Sequence, residues 1–169
     1  MRIFRIALLM LMTVGLAEAA HAQVGIYGTF TGTKLDTTSA PWIYGGTVGF
    51  YRDHGLGLIA AGFDARGEFV QRKETSLKSG LVGIRLAVTP HVLPIKPYVE
   101  GLVGVGNVSV AQGSSTTAFE YKVLGGVDWT FFPRLDWRVV EFGYGGFTGD
   151  ASGVHPTTLS SGLVFRLPF

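Results

Sequence analysis

Ser161-Gly-Leu-Val-Phe-Arg-Leu-Pro-Phe169 closes the chain, and its alternation decides the fold. Counting back in twos gives Phe169, Leu167, Phe165 and Leu163, all large and apolar. The other register holds Pro168, Arg166, Val164 and Gly162, with a full charge in its middle. A strand turns successive side chains to opposite faces, so this segment has one greasy face and one mixed face. In water the greasy face would be exposed up to a terminal aromatic. In a bilayer, lipid takes that face and neighbouring strands take the backbone.

The opposite end carries an export signature. A basic start, Met1-Arg-Ile-Phe-Arg5, precedes an apolar run from Ile6 to Ala17, and small residues stand at Ala20 and Ala22. This pattern predicts a cleavable signal peptide over residues 1–22, because the run is shorter than the roughly 20 residues of a spanning helix. Residues 23–169 are then one domain. Of 14 Lys and Arg against 12 Asp and Glu, Arg2, Arg5 and Glu18 fall in the leader, so the remainder is close to neutral. Such a balance offers no general attraction to nucleic acid. The chain has no Cys, so an exported protein of this composition relies on burial and backbone pairing rather than disulfides.

Between these ends the sequence falls into stretches of about ten residues with period-two alternation, the length of tilted membrane strands. Strands are expected at 23–33, 42–51, 56–67, 80–89, 98–108, 119–131, 137–148 and 161–169. Arg52-Asp-His-Gly55 is expected as a tight turn, Glu68 to Ser79 as a long charged loop, and Ser109 to Ala118 as another loop. Pro90, Pro94 and Pro97 stiffen the connector between strands four and five. In the seventh strand Arg138 and Glu141 have opposite parity. Glu141 is expected inward with Arg138 snorkelling at the membrane edge, and a bulge between them is the alternative.

The pattern is an all-β, eight-stranded antiparallel up-and-down transmembrane β-barrel. Polar, charge-rich connectors follow strands one, three, five and seven, while those after two and six are short. Both termini therefore belong on the periplasmic side. Aromatic residues sort to strand ends as two girdles. Phe50, Trp129, Phe131, Trp137, Phe165 and Phe169 fall at the periplasmic ends, and Trp42, Tyr44, Phe119, Tyr121, Tyr144 and Phe147 at the outer ends. A soluble barrel around an apolar ligand is the rival, and it would reverse the two faces.

The inward register holds Asp64, Arg66, Arg85, Glu100, Glu120, Lys122, Asp128, Glu141 and Arg166. Strand adjacency suggests the pairs Arg85 with Glu100 and Glu141 with Arg166. Depth along the strands suggests two layers, with Asp64, Arg66, Glu120 and Lys122 further out. Eight strands enclose only a side-chain-filled interior, which favours a plug of paired charges over a gated ion path. Inward glycines at 45, 49, 62, 83, 104 and 126 could hold water or make room for Tyr27 and Tyr98.

The closing strand resembles the C-terminal signature of bacterial outer-membrane barrels, and residues 23–169 resemble a small eight-stranded barrel of the OmpA/OmpX-like kind, without a further domain. The resemblance implies an outer-membrane location and a structural or surface-interaction role, such as adhesion or envelope integrity, through the outer loops. It also implies outer-membrane lipids, the barrel assembly machinery and an extracellular ligand at the loops as partners. Phe169, with Leu167 and Phe165, becomes the assembly signal, so Phe169→Ser is expected to lower the outer-membrane level of the protein in fractionated cells. A narrow ion-conducting pore and a lipid A-modifying enzyme are the alternatives. For the enzyme the outer-rim candidates are Ser152 and His155, but the spacing His155-Pro-Thr157 departs from the deacylase pattern of His and Ser two apart. His54 and His91 belong to periplasmic connectors. No metal cluster, phosphate loop or nucleophile elbow is present, so neither catalysis nor a cofactor is expected.

Overall fold

A computed structural model describes residues 22–35, 41–56, 58–90, 93–110 and 114–167. The expected leader, up to residue 21, and the expected assembly signal at Phe169 lie outside the described residues. Eight strands form one closed antiparallel barrel, each paired with its neighbours in sequence and β1 paired with β8. They are β1 (Ala22–Lys34), β2 (Trp42–Leu56), β3 (Ile59–Arg72), β4 (Thr75–Val88), β5 (Ile95–Val110), β6 (Ser114–Phe132), β7 (Leu135–Phe147) and β8 (Thr157–Leu167). Closure removes every strand edge, so each backbone ladder is satisfied within the wall.

The alternation expected from the sequence places the side chains. Ile26, Phe30, Val48, Val82, Ile84, Val103, Val123 and Phe142 face outward and are exposed. Their neighbours of opposite parity face inward and are buried. An outside this apolar, around an inside this charged, inverts the usual distribution in a water-soluble domain.

The hairpins reach further than the turn residues suggest. Asp53, His54 and Gly55 continue β2, and the chain reverses only between Leu56 and Ile59. Residues 68–79 form no long loop: β3 runs to Arg72, β4 starts at Thr75, and only Lys73 and Glu74 turn the chain. Residues 109–118 likewise belong mostly to β5 and β6, which pair out to Val110 and Ser114. Charge and Ser/Thr content marked these segments as loops, yet polar residues extend a ladder beyond the apolar zone as readily as they leave it. Pro97 is tolerated inside β5 because β4 pairs with β5 only as far as Tyr98, leaving no ladder bond for the missing amide on that side.

The barrel has a terminal rim, where β1 starts and β8 ends, and a distal rim bearing the β1–β2, β3–β4, β5–β6 and β7–β8 connections. The last of these holds a short 3₁₀ turn, Gly149–Ala151. Glycines let adjacent strands bend closely past one another. A Cβ at Gly83 would collide with the Gly101 carbonyl oxygen, and one at Gly104 with that of Gly80. Such close approach of neighbouring backbones suits the tight curvature of a narrow barrel.

Candidate functional site

The interior is a column of side chains in layers. At the terminal rim Asp136 accepts from Lys96 Nζ at 3.3 Å and pairs with Arg166 Nη2 at 3.0 Å. Arg166 therefore does not meet Glu141, as strand adjacency had suggested. The expected strands 119–131 and 137–148 leave Asp136 in the short connector between them, but β7 begins one residue before it and aims it inward.

Above this layer three arginines and three carboxylates form a closed ring. Arg66 Nη2 donates to Glu100, whose other oxygen accepts from Arg85 Nη1 at 2.5 Å. Arg85 Nη2 reaches Asp128 at 3.1 Å, and Asp128 accepts from Arg138 Nε at 2.9 Å. Arg138 Nη1 reaches Glu141 at 3.0 Å, and Glu141 returns to Arg66 Nη1 at 2.9 Å. Outside the ring, Asp53 accepts from Arg85 Nε at 3.2 Å and Asp64 from Arg66 Nε at 2.8 Å. Each guanidinium thus directs its fork to carboxylates, the geometry for which arginine is suited and lysine is not.

Three tyrosines interleave with the same arginines. The Arg85 guanidinium lies 4.3 Å from the Tyr51 ring centre and 3.7 Å from that of Tyr98. Arg138 lies 4.8 Å from Tyr98 and 4.2 Å from Tyr27, whose other neighbour is Arg66 at 5.4 Å. The hydroxyls complete the network: Tyr27 donates to Asp64 at 2.8 Å and Tyr98 to Glu141 at 2.6 Å. Glycine on the adjacent strand makes room for each ring. Tyr27 stands opposite Gly49, Tyr51 opposite Gly25 and Tyr98 opposite Gly126. A Cβ at Gly49 or Gly126 would lie 2.5 Å from the facing hydroxyl. The inward glycines at 49 and 126 are therefore filled by rings.

This ring dictates the irregularity of β7. Asp136, Arg138 and Glu141 all point inward, which strict alternation forbids. Val139 supplies the extra residue: Arg138 pairs with Asp128 and Gly162, whereas Val140 pairs with Val127 and Glu141 with Ser160. The bulge leaves Val139 and Val140 together on the outside. Arg138 is fully buried rather than at the membrane edge, because its three acceptors are inside.

Further out, the hydroxyls of Thr31, Thr47 and Ser160 join at 2.8 and 3.0 Å. Beyond them Lys122 Nζ donates to Glu68 at 2.7 Å and pairs with Glu120 at 3.3 Å. Ser79 donates to Glu120, and Thr33 to Glu68 at 2.9 Å. The anticipated outer layer is thus divided: Glu120 and Lys122 lie here, while Asp64 and Arg66 join the inner ring. Glu68 and Ser79 were missed because they were assigned to a loop. Asp53 was missed because Asp-x-Gly was read as turn chemistry; the parity of Asp53 with Tyr51 was the available signal.

The distal mouth is apolar. Leu35, Ile43, Val70, Leu77, Val108, Phe147 and Ala151 pack together across it, with Ala118 and Val154 against them. Phe147 was expected in the outer girdle, but it shares the parity of Glu141 and is 2% exposed inside the barrel. The remaining distal aromatics Tyr44, Phe119, Tyr121 and Tyr144 face outward, and Trp42 is half-buried. Trp129, Phe131, Trp137 and Phe165 face outward in the terminal half, and the rings of Trp129 and Trp137 lie 6.1 Å apart. Phe50 also faces outward but lies mid-strand, since β2 continues to Leu56. Leu167 ends β8 and is half-buried beside Val24. His155 stacks on Tyr144 with ring centres 6.2 Å apart, and Ser152 follows the 3₁₀ turn.

No protein-family model matches this sequence, and no curated protein matches it. Solved structures do. Neisserial surface protein A aligns with 86% of this chain and 97% of its own at 17% identity, with a TM-score of 0.58. Ail, the attachment invasion locus protein of Yersinia pestis, aligns with 87% of this chain and 99% of its own at 13% identity and a TM-score of 0.59. The fold is that of the small eight-stranded outer-membrane barrels. The outer membrane enzyme PagL shares it at 13% identity, with a TM-score of 0.51 over 86% of this chain and 99% of its own. One architecture therefore carries both surface proteins and an enzyme, and the fold by itself does not choose between them.

Proposed function

We propose that this protein is an outer-membrane barrel with a sealed wall, exported through a cleaved signal peptide, whose role is surface interaction at the distal rim. The observation that carries this reading is the filled interior. A bonded ring of arginines and carboxylates crosses the lumen, and an apolar cluster closes the mouth above it. A path for ions would need water or mobile charge where buried side chains hold one another. With the lumen occupied and the outer wall apolar, the polar chemistry available to a partner outside the cell lies at the distal loops. The surface protein of Neisseria and the attachment invasion protein of Yersinia pestis share this fold, which is consistent with adhesion. Catalysis forms no part of the proposal.

Two measurements test it. Single-channel recordings in planar bilayers are expected to show no steady conductance for the native chain, nor for Phe147→Ala, because the ion-paired layers remain below the cap. Steady unitary currents from the native chain would instead support the pore. Replacing Arg72, Lys73 and Glu74 at the exposed β3–β4 tip with Gly and Ser is expected to change binding to host cells or matrix, with the outer-membrane level unaltered. Unchanged binding after the same replacement at every distal connection would refute the surface-interaction role.

A further inference from the structure

The bulge that turns Arg138 inward also reshapes the outside of the wall. Val139 and Val140 stand together against one outward residue of β8, Ser161. On β1, Gly32 contributes no side chain. Between them the wall is hollowed into a groove of about 350 Å³ bordered by Phe30, Trp42, Tyr44, Val140 and Leu159. Phe30 and Tyr44 stack at 6.0 Å to form one bank. The polar group in the floor is already engaged: Ser161 Oγ donates to the Arg138 carbonyl at 3.0 Å and accepts from Trp137 Nε1 at 3.2 Å. A groove with satisfied polar atoms and aromatic and branched walls suits a hydrocarbon chain.

Its distal end is marked by charge. Lys34 is the ladder partner of Trp42, and Arg72 Nη1 donates to the Trp42 carbonyl at 3.1 Å. The adjoining tip carries Lys73 and Glu74. Basic side chains beside the interfacial end of an apolar groove match a lipid with a phosphate at the head of its chains. We propose that the groove seats one acyl chain of a phosphate-bearing lipid from the leaflet around the distal rim, with Lys34 and Arg72 at its phosphate. This site rests on the membrane placement proposed above. It also ties the lumen to the lipid, since the groove exists through the bulge that the buried ring requires.

Native mass spectrometry of the full chain, offered equal phosphatidic acid and phosphatidylcholine in detergent, tests the site. The expected result is one retained phosphatidic acid per barrel, preferred about fivefold or more, the effect of roughly one basic side chain near a lipid surface. Lys34→Gln with Arg72→Gln should abolish the preference. Ser161→Leu and Leu159→Trp, two independent ways of filling the groove, should remove the retained lipid, while Arg52→Gln at the terminal rim should leave it. Heat-modifiable gel mobility identifies folded variants, and a chain that is soluble without detergent would overturn the membrane placement itself. In a folded barrel, equal retention of both lipids, or a preference that survives the Lys34 and Arg72 replacements or the folded groove-filling variants, overturns the site.

Discussion

Arg138→Met is expected to destabilise the barrel by about 3–5 kcal/mol, read as a lowered urea midpoint for unfolding from vesicles or detergent. That is the range for removing one member of a buried, hydrogen-bonded ion pair. Arg138 directs two nitrogens to Asp128 and one to Glu141, and its guanidinium packs between the rings of Tyr98 and Tyr27. Met approximates the length of the side chain and supplies no donor, so both carboxylates lose a cation in a space that admits little solvent. Arg138→Lys should recover part of the loss, because one ammonium cannot reproduce a fork spread over two carboxylates. Adding Asp128→Asn to Arg138→Met should also recover stability, since it removes the charge left without Arg138. Were Arg138 an exposed charge snorkelling at the membrane edge, its loss would cost under about 1 kcal/mol. A midpoint unchanged by Arg138→Met would therefore remove the ring as a source of stability.

The difference between those two placements of Arg138 marks where alternation ceases to be informative. Parity assigns faces correctly as long as each strand contributes one residue per step. Tyr27, Asp64, Arg66, Arg85, Glu100, Glu120, Lys122 and Asp128 all lie inside on that rule. One inserted residue breaks it, and the period of two gives no warning beyond the conflict between Arg138 and Glu141. The adjacent pair Val139-Val140 was the further sign, because two consecutive branched apolar residues fit a bulge with both facing lipid. Phe147 shows the converse. Its parity with Glu141 was available, but aromaticity near a strand end outweighed it. Strand length was the least legible feature. Glu68 and Ser79 lie beyond the apolar zone in sequence, and only the ladder shows that they are inside the barrel and bonded to Lys122 and Glu120. The closed ring itself could not be foreseen from pairs of adjacent strands, since Arg66 on β3 and Glu141 on β7 meet across the lumen.

Val82→Arg carries the second large effect, and it tests the surroundings of the barrel instead of its interior. Val82 lies outward on β4 between Ala65 on β3 and Val103 on β5, and is 56% exposed. Val82 stands six positions from the strand end at Val88 and seven from Thr75 at the other, which puts it near the middle of the wall. An arginine at the midplane of a lipid-facing strand costs about 2–4 kcal/mol, whereas the same charge near either interface costs about 0–1. An exposed Val→Arg change on a protein in water stays within about 0.5 kcal/mol. The expected result is a loss of about 2–4 kcal/mol in vesicles for Val82→Arg, and a much smaller one for Val88→Arg at the terminal end of the same strand and face. Both positions face outward, so the interior network is untouched in either variant and the contrast reports depth alone. Equal, negligible effects at the two positions would mean that the outward face meets water, and the outer-membrane placement would have to be abandoned.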